Sequence, residues 1–226
     1  NGGTGATTAA AARTNLDVMA TADVNDRQLS KAPSNGLYFD GVNDKITIPD
    51  NALLSFGDGA GNDKPFTLTG IINADDMTSF GVIAKYGSGA STREYVMSVN
   101  SNDKLQLVLA DASGDNPSRV ADVAITAKEG TDIHVAATFS AASALTAAAD
   151  DITLYINGVV VASTANNQAG YGGMSNTAQD VTVGLQSSAT YAEGIVRSAL
   201  VLNRELTAAE VLRLSINNVP EVADHW

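Results

Sequence analysis

Between Gly36 and Leu202 the chain is broken roughly every 8–15 residues by clusters of Gly, Asn, Asp and Ser, and the stretches between breaks alternate apolar and polar. Such spacing predicts strands at Leu37–Phe39, Lys45–Pro49, Phe66–Asn73, Gly81–Tyr86, Glu94–Val99, Lys104–Ala110, Arg119–Ile125 and Asp132–Phe139. Later strands are predicted at Asp151–Ile156, Val159–Thr164, Asp180–Gly184 and Gly194–Leu202. A long series of short, punctuated strands packs as an antiparallel sandwich, not as alternating βα units. The expected fold class is therefore all-β, with its core along Ile46, Ile48, Leu68, Val96, Leu105, Leu107, Val135, Leu154, Ile156, Val181 and Val183.

Two local signals are sharper than the rest. In Ile152-Thr153-Leu154-Tyr155-Ile156-Asn157-Gly158-Val159-Val160-Val161 the Asn-Gly pair supplies the two positive-φ residues of a type I′ hairpin turn. Near the end, Thr207-Ala208-Ala209-Glu210 forms a capping box that opens one helix, and Pro220 stops it. Ala141–Ala149 is expected to be a loop or short helix. Residues 1–34 differ in texture, being Gly-led and then Ala-rich. A short helix from Thr7 or Thr8 to about Leu16 would need a partner surface, and the plainer reading is a linker.

With 44% hydrophobic residues the chain can bury a core, and with 5% aromatics that core is expected to be Val, Ile, Leu and Ala. A formal charge of −12 repels phosphate backbones and anionic membranes, so nucleic-acid binding is not expected. The absence of cysteine removes disulfides and thiolate metal sites. No apolar run approaches the length of a membrane span, and no signal peptide is visible, so membrane insertion is not expected. The start at Asn1, without Met, suggests a piece of something longer, with 219–226 as a tail or the lead-in to a further segment.

Over residues 36–218 the chain resembles the laminin-G-like, or concanavalin-A-like, jelly-roll family. The matching stretches are LYFDGVNDKITIP (37–49), FTLTGIIN (66–73), IAKYG (83–87), DIHVAATFS (132–140), ITLYINGVVVAST (152–164) and GIVRSALVLNRELTAAEV (194–211). Separately, NGGTGATTAAAARTNL (1–16) resembles a short repeat of tailed-phage fibre proteins, except that Asp17 stands where a Gly usually follows. Together the resemblances imply a fibre/shaft-like segment (1–34), a jelly roll (35–218) with one short C-terminal helix, and a homotrimer. They imply a virion receptor-binding protein whose partner is a bacterial surface polysaccharide or other host receptor.

The same family contains glycoside hydrolases, whose paired acids come from one strand face as E-x-D-x-x-E. No such segment occurs here, and Glu94, Glu129, Glu193, Glu205, Glu210 and Glu221 stand apart from the required Asp spacing. An enzyme is not expected. His134 is read as packing beside its strand rather than acting as a base.

Calcium is the one cofactor considered. The resemblance implies it at a rim of the sandwich, and Asp40, Asn43 and Asp44 offer three side chains on one tight loop. Asp58, Asn62 and Asp63 resemble half of a calcium loop; both sets also suit Asx turns. For the saccharide, the candidates are Tyr171 and Tyr191 with Asn166, Asn167 and Gln168, an aromatic and amide set on Gly-rich loops. The same Tyr171 would serve as well to pin its loop. Tyr38, Tyr86, Tyr95 and Tyr155 are assigned to the core or to cross-strand pairs. The competing functions are an adhesive lectin-like domain, a structural spacer or docking domain within a fibre, and a polysaccharide depolymerase.

Overall fold

The computed structural model describes residues 36–187 and 189–218. The fibre-like segment, the tail and the expectations placed on them lie outside the described residues.

The alternating stretches form two packed antiparallel sheets. One has six strands, ordered β1 (Leu37–Asp40), β15 (Glu193–Leu202), β3 (Phe66–Asp76), β8 (Ile133–Phe139), β9 (Ile152–Ile156) and β10 (Val159–Val160). The other has seven, ordered β11 (Ser163–Asn166), β7 (Ser118–Ala121), β6 (Leu105–Leu109), β5 (Arg93–Val99), β4 (Gly81–Tyr86), β12 (Val181–Val183) and β2 (Ile46–Ile48). A small hairpin, β13 (Leu185–Ser187) with β14 (Thr190–Tyr191), packs on β4, and one helix, α1 (Ala208–Asn218), follows β15.

Between the sheets lie Leu68, Ile72, Val135, Ala137 and Leu154 from one side and Ile83, Met97, Leu105, Leu107, Val181 and Val183 from the other. The few aromatics are concentrated there instead of being spread out. Phe66 stacks on Phe56 at 4.5 Å between centroids and sits 5.5 Å from both Tyr95 and Phe139. The aliphatic core expected from composition is therefore built around a four-ring centre, where each ring buries more area than an aliphatic side chain would.

The hairpin and helix follow their local chemistry. Asn157 and Gly158 have φ of 50° and 77°, the left-handed region a type I′ turn requires. Thr207 Oγ1 accepts the Glu210 N–H at 3.3 Å, and Glu210 Oε2 accepts the Thr207 N–H at 2.9 Å, a reciprocal cap. α1 buries Val211 with Leu206 against Ala136 and Tyr155 on the outer face of the six-stranded sheet.

Some expectations are corrected. The strand predicted at Val159–Thr164 divides, because β10 closes one sheet while β11 pairs with β7 in the other. The strand predicted at Arg119–Ile125 ends at Ala121, and the chain turns into a 3-10 helix at Thr126–Lys128. Ser187, Thr190 and Tyr191, read as loop residues, belong to the hairpin of β13 and β14.

Candidate functional site

On β12, Val181 and Val183 turn into the core and Thr182 to the other face, where it is buried and its hydroxyl is bonded to the Ala84 and Leu185 carbonyls at 3.3 Å. It pairs with Thr47 of β2 on one side and Ala84 of β4 on the other. Thr47 and Thr182 line a groove of about 250 Å³ on the outer face of the seven-stranded sheet. Tyr86, Gly87 and Ser88 also line it, as do Gln179 and Asp180, with Lys45 and Leu185 completing the set. Hydroxyl, amide and charged groups thus surround one half-buried aromatic ring. A larger cavity, about 430 Å³, lies beside β7 and β9, but its lining is aliphatic apart from Lys128 and Asn157.

Tyr86 is held rather than free. Its hydroxyl donates to Asn116 Oδ1 at 3.2 Å, and the Arg93 guanidinium carbon lies 4.7 Å from the ring centroid. Burial raises the Tyr86 hydroxyl above its ordinary value, with Arg93 opposing the shift. Arg93 also donates to the Gly87 and Ser88 carbonyls at 3.1 and 2.8 Å, which shapes the groove lip. At Gly87 a Cβ would clash with Thr92 Oγ1 and lie 2.8 Å from Gln179 Oε1, so a larger residue there would have to displace both side chains.

The opposite wall is anchored from below. The β4–β5 register pairs Lys85 with Tyr95 and Tyr86 with Arg93, leaving Glu94 as a bulged extra residue. A bulge sets two residues of one strand against one of its partner, which brings Glu94 to the inner side beside Lys85. Both side chains are fully buried, 2.9 Å apart. Lys85 Nζ also donates to Asp50 Oδ1 and Ser55 Oγ, each at 2.6 Å, and to the Thr177 carbonyl at 3.1 Å.

The loop candidates take other roles. Tyr171 is 3% exposed, belongs to the core cluster, and its hydroxyl donates to Asp63 Oδ2 at 2.8 Å. It pins the loop and offers no open ring face. Asn167 accepts the Ala149 N–H at 2.8 Å and donates to Asp150 Oδ2 at 3.0 Å, which spends its amide on the fold. Gln168 is half-buried, and its carbonyl accepts the Tyr171 N–H at 3.2 Å. Asn166 is exposed on β11 opposite Ser118. Tyr191, half-buried on β14, pairs with Leu185, so it stands on the hairpin that ends the groove. Tyr86, expected in the core or in a cross-strand pair, is the cross-strand partner of Arg93 and also lines the groove.

The side-chain oxygens of both acidic loops are engaged in turn hydrogen bonds. Asp40 Oδ1 accepts the Val42 and Asn43 N–H groups, and Asp44 Oδ2 accepts the Asp40 N–H. Asp58 Oδ1 accepts the N–H groups of Ala60 and Asn62, and Asp58 Oδ2 accepts from the Asn62 amide. Those bonds hold the Asp58 carboxyl below its ordinary value. Asp63 is spent on Tyr171 and the Met174 N–H, and burial raises its carboxyl. Among the described residues, no group of three or more His, Cys, Asp or Glu is placed to hold a metal. Both loops are Asx turns, in which Asp40 Oδ1, Asp44 Oδ2 and both Asp58 oxygens accept hydrogen bonds from the loop itself.

His134 is buried, with Nε2 2.7 Å from Thr69 Oγ1, as a packed residue. No helix among the described residues is long and apolar enough to cross a membrane.

The sequence matches the concanavalin A-like lectin/glucanases superfamily (Laminin_G_3) over residues 39–212. This chain belongs to that family. Its two-sheet jelly roll is shared with the heptameric SAP-like pentraxin of Limulus polyphemus, at 16% identity and a TM-score of 0.52, covering 80% of this chain and 81% of that one. The concanavalin A-like domain is also similar to the botulinum neurotoxin serotype D ligand binding domain solved with N-acetylneuraminic acid. That likeness has 12% identity and a TM-score of 0.59, and covers 86% of this chain and 45% of the toxin chain. The binding domain of Paraclostridial Mosquitocidal Protein 1 aligns at 14% identity and a TM-score of 0.55, covering 78% of this chain and 42% of that one. The domain thus spans under half the length of the toxin chains it resembles. No curated protein matches it.

Proposed function

We propose that this concanavalin A-like domain is a non-catalytic adhesion module that binds a bacterial surface glycan in the groove beside Tyr86. The observation that carries the reading is the groove itself: one fixed aromatic ring among Thr47, Gln179, Asp180 and Lys45 on a rigid sheet. Saccharides present apolar C–H faces and many hydroxyls, which such a pairing matches. The serotype D toxin domain, similar in fold, was solved with a sugar acid. The fibre-like wording of residues 1–16 supports a place in a phage tail fibre, as a homotrimer on the virion. Several weak sites would then gain avidity on one cell surface.

The test is binding of purified protein, at known oligomeric state, to a panel of bacterial surface polysaccharides. Saturable binding without product release, abolished by Tyr86→Ala in folded protein, is expected. Release of shortened saccharide would replace the reading with a depolymerase.

A structural spacer or docking domain is the second reading. It is favoured by Val123, 73% exposed at the aliphatic cavity, and by Val159 and Val160, 63% and 52% exposed on the edge strand β10. Absence of binding across the panel by an intact oligomer would favour it.

A further inference from the structure

Taking the groove as the binding site, we infer that Lys85 and Glu94 are positioning residues for it, their buried ion pair fixing the Thr177–Asp180 wall. Burying two charges costs several kcal/mol per ion unless their lone pairs and protons are served, and an apolar pair of similar volume is often at least as stable. This pair is not optimised for stability alone, since Glu94 Oε2 is buried without a hydrogen-bond partner.

What the pair does accomplish is to grip one residue from both sides. Glu94 Oε1 accepts the Thr177 N–H at 2.6 Å and its hydroxyl at 3.0 Å, while Lys85 donates to the Thr177 carbonyl. Thr177 Oγ1 in turn accepts the Gln179 N–H at 3.3 Å. Asp50, the second carboxylate on Lys85, donates its own N–H to Asp180 Oδ1 at 3.1 Å. Thr177, Gln179 and Asp180 lie in no strand, so these contacts take the place of a ladder. Gln179 and Asp180 are the groove residues at the end of the chain of bonds, and Lys85 adjoins Tyr86 on β4. Both walls of the groove are therefore referred to one buried cation.

The test uses Glu94→Gln, which keeps the shape, and Lys85→Met combined with Glu94→Gln, which removes both charges together. Val211→Ala, beneath α1 and away from the groove, serves as a control for lost stability. Affinity is measured with N-acetylneuraminic acid, D-galactose and D-glucuronic acid as probes, well below the unfolding midpoint. Amide hydrogen exchange is followed in parallel.

Both groove variants are expected to weaken saccharide binding by about tenfold or more. They should also lose protection at 177–180 while β3 and β8 keep theirs, and Val211→Ala should leave affinity unchanged. Unchanged affinity in Glu94→Gln, a loss matched by Val211→Ala, or undisturbed exchange at 177–180 would overturn the inference. If the unmodified protein binds none of the three probes, the glycan reading fails for these sugars, and exchange at 177–180 alone decides the positioning. If the double variant does not fold, Glu94→Gln carries the test.

Discussion

Tyr171 donates its hydroxyl to Asp63 Oδ2 at 2.8 Å, while Asp63 Oδ1 accepts the Met174 N–H at 2.7 Å. One carboxylate thus closes a loop that begins 108 residues away, and burial raises both ionisations above their ordinary values. Tyr171→Phe leaves Oδ2 without its donor and should cost about 1–3 kcal/mol in urea denaturation. Polysaccharide binding should be unaffected. Lost binding at unchanged stability would return Tyr171 to the ligand site.

Burial pushes the His134 imidazole down to about 4 from its ordinary 6.5. The unfolded chain therefore binds a proton that the folded chain refuses between those values. Stability associated with His134 is complete above about pH 6.5 and falls as the pH is lowered toward 4, by about 3 kcal/mol in all. His134→Gln should remove that part of the slope in denaturation midpoints measured from pH 7 to pH 4. An identical slope in the variant would show that His134 does not carry it.

Gly158 has φ of 77°, and a Cβ there would lie 2.8 Å from Leu212 Cα and also meet Ser215 Oγ of α1. Gly158→Ala therefore combines left-handed strain with a push on the helix. A loss of about 1–3 kcal/mol is expected. The amides of α1 should lose hydrogen-exchange protection before those of β3. Equal loss everywhere would mean that the turn and helix are not coupled.

Because the Asp40 and Asp58 loops are internally bonded, thermal unfolding should be the same with EDTA and with millimolar calcium. Saccharide binding should be insensitive to EDTA as well. A calcium-dependent rise in the midpoint would show that these turns rearrange around an ion.

Much of the fold was legible because its signals are short-ranged. Val181 and Val183 flank Thr182 with the period of a strand, Asn157-Gly158 specifies its own turn, and Thr207 caps with Glu210 three residues on. The division of Val159–Thr164 was not legible. Both β10 and β11 suit the pattern, and only their partners β9 and β7 assign them to different sheets.

The site was less legible still. That Tyr171 could pin its loop was legible, but its partner was not, because Asp63 lies 108 positions away. By itself the sequence determined the all-β class, the hairpin, the helix cap and the acidic character of the surface, all of which depend on adjacent residues or on composition. Tertiary structure alone decided that Tyr86 lines a groove and that Lys85 and Glu94 turn inward beneath it. A β-bulge and a loop some 80–90 residues away create that arrangement, and neither is encoded in the local period of a strand.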